Sequence, residues 1–125
     1  MKHSHWITLP GLLKIAAILE IVTGAALMIC PLCATLLLLN SELVGAGLAI
    51  CRVAGFGLLS LGIACWPTAH TNTMAPLAIL TYGLLITAYL VYLGVATLWV
   101  GWLLWPAVAV HAVLTALLAW RWTQG

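Results

Sequence analysis

Charge is what this sequence has least of. Of its 125 residues, four are Lys or Arg and two are acidic, whereas 66% are hydrophobic. A soluble domain carries roughly 25% charged residues, and the 5% found here cannot cover a water-facing surface. The chain reads as an integral membrane protein, and its mean hydropathy of +1.23 agrees. A net charge of +2 leaves no basic stripe to follow a phosphate backbone, which excludes nucleic acid as an expected partner. Missing too are a Ser/His/Asp arrangement, a phosphate-binding glycine loop and a zinc-ligand pattern. No catalytic residue is assigned on those grounds, and no cofactor is implied. A cleavable signal peptide is not expected either. Lys14 and Glu20 interrupt the first apolar run, and no A-x-A-like site follows it.

What the sequence has in abundance is long apolar runs. At about 20 residues per span, the length predicts an all-α fold, an antiparallel bundle of four transmembrane helices in one membrane domain, 1–125. The helices are expected over about 11–30, 43–65, 76–94 and 98–120. Between the first two, Leu32 to Glu42 is too short to span, and its leucine run suggests a short interfacial segment. Pro10 and Pro76 suit helix starts, Pro31 ends or kinks the first helix, and Pro106 is expected to bend the fourth.

Four spans put both termini on one side. Lys2, Lys14 and Arg121 fall on that side, while the connectors after helices one and three contain no Lys or Arg. The positive-inside rule then predicts cytoplasmic termini. Trp6, Trp66, Trp120 and Trp122 gather at the same interface and Trp99 and Trp102 at the opposite one, as membrane anchors do.

Each predicted helix carries one distinctive polar residue near mid-depth: Glu20, Arg52, Tyr82 and His111. Counting about 1.5 Å per residue from the helix ends places Glu20 and Arg52 at nearly equal depth on antiparallel neighbours. Small residues share their faces: Ala16 and Gly24 flank Glu20, Gly47, Cys51 and Gly55 run beside Arg52, and Ala107, Thr115 and Ala119 line up with His111. Tyr82, Tyr89 and Tyr92 form a further stripe. The expectation is a buried cluster built on a Glu20–Arg52 ion pair and completed by Tyr82 and His111. A lone charge in hydrocarbon is costly. Such a cluster can serve as a clasp that fixes helix register. It can equally hold a small polar ligand, a lipid or quinone headgroup, or a proton.

Cys30-Pro31-Leu32-Cys33 is a C-x-x-C at the end of helix one away from the termini. It can form or exchange a disulfide in an oxidising compartment, or simply supply small residues at a helix end. Its internal proline resembles that of thiol oxidoreductases, and four-helix membrane enzymes that couple disulfide formation to quinone reduction are similar in outline. Those enzymes have a second cysteine pair in a loop on the same side, and this chain has none. Cys51 is expected mid-helix and Cys65 at the far end, neither able to reach Cys30 or Cys33. Among the histidines, only His111 lies in a span, too few for a bis-histidine haem. Met1-Lys2-His3, with His5, offers a square-planar copper(II) set that chance also produces often. His70 falls in a polar loop and is expected to be solvated.

Leu39-Asn40-Ser41-Glu42-Leu43, Arg52-Val53-Ala54-Gly55, Leu59-Ser60-Leu61-Gly62 and Leu104-Trp105-Pro106-Ala107 with His111 form a loose pattern. In it the chain resembles small bacterial four-helix inner-membrane proteins, broadly of the DoxX type. The resemblance implies the fold and an inner-membrane location, brings no catalytic residues, and hints at accessory partners of other membrane or redox proteins. Three functions follow as expectations. The first is an accessory or structural subunit in contact with the lipid bilayer and with other membrane subunits or further copies of itself. The second is a binding or transport protein using the polar cluster. The third is a thiol–disulfide oxidoreductase using Cys30 and Cys33.

Overall fold

The computed structural model describes residues 8–69 and 73–124. These form five helices and no strand: α1 (Leu9–Ile29), α2 (Pro31–Leu39), α3 (Ala46–Ala64), α4 (Met74–Ala96) and α5 (Leu104–Gln124). All but α2 are long and apolar enough to cross a membrane. The fold is therefore the all-α, four-span arrangement of a multi-pass membrane protein.

Proline position explains several boundaries. Pro10, Pro31, Pro76 and Pro106 all fall within the first three residues of a helix, where the missing N–H had no partner to lose. Pro106 accordingly starts α5 instead of bending it. Residues 98–103 form a loop in place of the expected beginning of the fourth span. Ahead of Pro31, Cys30 is pushed out of the helical region to φ −134° and ψ 72°, as a residue before proline usually is. The chain turns there, so Pro31 separates two helices.

The first and third helices meet backbone to backbone. A Cβ at Gly24 would lie 2.6 Å from the Leu59 nitrogen, one at Gly55 2.7 Å from the Gly24 carbonyl oxygen, and one at Gly62 2.7 Å from the Ala17 carbonyl oxygen. Close approach of this kind is how membrane helices gain dispersion contacts where lipid removes the hydrophobic drive. α4 and α5 form the other extensive pair, with Gly83 seated under the Thr115 hydroxyl. α1 also touches α5 and, more lightly, α4, so it occupies the centre; α3 makes no substantial contact with either. Burial follows this order. Leu12, Leu13, Ala16, Ala17, Glu20 and Gly24 of α1 are buried, but on α3 only Gly55 and Gly62 are.

α2 is held by the α4–α5 loop. The last carbonyls of a helix lack intrahelical donors, and those of Leu37 and Leu38 accept from the amides of Leu103 (3.0 Å) and Gly101 (2.9 Å). A Cβ on Gly101 would collide with the Leu37 carbonyl oxygen. Asn40 closes α2 in the left-handed region, at φ 50°.

The glycine contact yields a paired test. Gly55→Leu forces a side chain into the α1 backbone and should lower stability by about 2 kcal/mol or more. Gly57→Leu, at a position with nothing within 4 Å of the added Cβ, should change it little. Thermal unfolding in detergent, followed by the loss of monodisperse protein, reads both.

Candidate functional site

Two apolar clusters divide the bundle along its length. Toward the termini lie Leu12, Leu13, Ala16, Cys65, Ile79 and Leu118; toward the α1–α2 elbow lie Leu90, Leu93 and Leu104. Between them, on three different helices, stand Glu20, Tyr82 and His111. Glu20 is 3% exposed, and its Oε2 is buried without a hydrogen-bond partner among the described residues. The Tyr82 hydroxyl from α4 is the hydrogen-bonding group that addresses the carboxyl. The Tyr82 and His111 rings meet edge to face, with centroids 6.2 Å apart and planes at 74°. Of the tyrosine stripe, only Tyr82 turns inward. Tyr89 and Tyr92 stack on each other at the exposed surface.

Arg52 stands outside this group. The expected ion pair with Glu20 does not form, and Arg52 is exposed on α3 without an ion pair among the described residues. Helix register is the reason. Gly24 lies against Gly55 and Leu59, Gly55 against Met28, and Gly62 against Ala17 and Ile21. Counting from those contacts, Glu20 is level with Leu61 of α3, while Arg52 is level with the end of α1 near Ile29. The two charges are therefore separated by roughly 13 Å along the bundle, at 1.5 Å per residue. Depth counting missed this because α3 begins at Ala46, not Leu43, and because its glycines, not its ends, set the alignment.

The elbow carries the C-x-x-C. Cys30 and Cys33 form a disulfide with their Cα atoms 5.3 Å apart, Cys30 being the residue that caps α2 and Cys33 the third residue of that helix. Cys51 and Cys65 are free thiols. Cys65 lies in the apolar cluster at the far end, as expected. Cys51 does not sit at mid-depth. The same register puts it level with Cys30, which the helix count had not revealed.

At the terminal end, the Lys14 ammonium sits over the Trp66 ring at 5.6 Å and the Arg121 guanidinium over Trp120 at 4.6 Å. Cations over tryptophan faces gain from the ring quadrupole, and here the pairs join residues singled out as charge and aromatic anchors. The copper candidates His3 and His5, like His70, lie outside the described residues. Among the described residues no group of three or more His, Cys, Asp or Glu is placed to hold a metal. Comparison with protein-family models, curated proteins and solved structures finds no match for the chain.

Double-mutant cycles separate the real neighbours from the expected ones. Glu20→Gln with Tyr82→Phe should show a coupling of roughly 1 kcal/mol, whereas Glu20→Gln with Arg52→Gln should be additive within about 0.5 kcal/mol. A strong Glu20–Arg52 coupling would contradict the register described above.

Proposed function

We propose that this protein is an accessory subunit of a larger membrane assembly, and that it docks through the outer flank of α3. The observation that carries this reading is Arg52. It stands on a helix supported from one side only, among exposed apolar neighbours Ile50, Val53 and Phe56. It is the seventh residue of α3, about 9 Å from the helix start at 1.5 Å per residue. Near the elbow, a guanidinium facing lipid costs less than the roughly 3 kcal/mol of mid-membrane, and a carboxylate beside it offsets what remains. The chain does not supply one at this level. Of its two acidic residues, Glu20 is buried against α4, and Glu42 precedes α3 in the connector. The occupant that fits is a transmembrane helix of another protein with an Asp or Glu facing Arg52. The DoxX-type resemblance points the same way, and so does a chain with about two-thirds of its residues in candidate spans. With Lys14 and Arg121 at the terminal end, this reading places both termini in the cytoplasm of a bacterial inner membrane.

A second reading rests on Glu20. A buried carboxyl oxygen without a partner, beside a phenol and an imidazole, is suited to a small polar ligand such as a quinone or lipid headgroup. Native mass spectrometry of protein released from its own membranes should then show a bound small molecule that Glu20→Leu removes. Protein that flies free of any adduct would count against it.

For the docking reading, the wild-type protein in a mild detergent should migrate as a complex larger than its monomer. Arg52→Leu should weaken that complex by at least roughly tenfold, about 1.4 kcal/mol, while leaving helicity and the Cys30–Cys33 disulfide intact. A wild-type chain that runs as a lone monomer sinks the proposal. So does a complex indifferent to Arg52.

A further inference from the structure

Three of the four cysteines share one level of the bundle, and partner docking through Arg52 leaves them unused. We infer that Cys30, Cys33 and Cys51 form a thiol–disulfide exchange site at the α1–α2 elbow. In this site the Cys51 thiol displaces Cys33 from its bond to Cys30.

Placement carries the inference. A Cβ at Gly55 would lie 2.9 Å from Met28 Cγ and 3.0 Å from the Met28 nitrogen. Cys51 precedes Gly55 by one turn on the same α1-facing stripe, since residues four apart share a helix face. One turn along α3 from the Gly55–Met28 contact, α1 has ended and the chain opens at Cys30. Glycine contacts hold the two backbones together from Ala17 and Gly62 through to Met28 and Gly55. The register therefore sets Cys51 level with Cys30 at the mouth of this contact, and a bridge between them requires Cα atoms about 4.4–6.8 Å apart. Cys65, at the opposite end of α3, is excluded by distance along the helix.

The chemistry favours one direction of attack. Cys51 and Cys30 are half-buried, while Cys33 is exposed. Cys33 lies in the first turn of α2, where unpaired amides and the helix dipole favour a thiolate. A better-stabilised thiolate is the faster leaving group. The Cys51 thiolate attacks Sγ of Cys30, and the Cys30–Cys51 bond forms as the Cys30–Cys33 bond breaks. Cys33 departs with the electron pair and takes up the proton that Cys51 released. One disulfide and one thiol are present before and after, so no oxidant or reductant is consumed. The product exposes the Cys33 thiol to exchange with a thiol or disulfide of another protein at that membrane face.

The full-length protein in membranes tests this directly. After equilibration in glutathione redox buffers, acid quenching, alkylation and proteolysis, a Cys30–Cys51 linked peptide is expected, with Cys33 alkylated in the same molecules. Finding only Cys30–Cys33 or fully reduced chains at every buffer ratio overturns the inference. In a Cys33→Ser variant under mild oxidant, Cys30 should lose its free thiol at least roughly tenfold faster than in the Cys33→Ser/Cys51→Ser double variant, as expected for neighbouring groups. Equal rates, or pairing of Cys30 with Cys65, overturn it as well. Should Cys33→Ser not fold, the wild-type mapping decides alone.

Discussion

The backbone contact between α1 and α3 is the constraint on which the rest of this structure depends. In lipid, helices gain little by hiding apolar side chains from one another, and their association rests on close packing. Gly24, Gly55 and Gly62 remove the side chains that would hold the two helices apart. The resulting contact allows one register only, because each glycine must face a carbonyl or amide of the other helix. That register puts Glu20 beside the last turns of α3 and carries Arg52 and Cys51 up to the elbow. It also gives α1 the centre of the bundle, with α3 on one side and the α4–α5 pair on the other.

Polar groups are then sorted by what the central helix can reach. Glu20 points from α1 toward α4 and α5, where Tyr82 and His111 interrupt the two apolar clusters. Arg52, on the flank of a peripheral helix, has no ion-pair partner among the described residues. The same logic governs the elbow. A helix end within reach of hydrocarbon must satisfy its carbonyls from protein, and the α4–α5 loop does so for α2 through the amides of Gly101 and Leu103. The loop thereby ties the elbow to the second helix pair, so the disulfide sits in a segment braced from both sides.

Element type and number were legible from hydropathy and length alone. The short helix after Cys30 was legible from its proline and from a leucine run too short to span. Boundaries were less so where proline could be read in two ways. Pro106 sits as comfortably in a first turn as at a kink, and only the loop at residues 98–103 decides between them. In the polar cluster, Tyr82 and His111 could be drawn toward Glu20 by depth and face. The pairing of Glu20 with Arg52 could not be judged that way, because depth counted from helix ends assumes that the ends align.

Sequence by itself therefore determined what must be true of each helix taken singly. Sparse charge requires a membrane, apolar length defines the spans, and proline marks where helices start. The tertiary structure alone decided which residues meet across helices. The physical reason is that register in a membrane bundle is set by the few places where two backbones touch, not by the ends of the spans. A shift of two turns costs a hydropathy pattern nothing, yet it moves a residue by about 11 Å. That is enough to part Glu20 from Arg52 and to bring Cys51 level with Cys30.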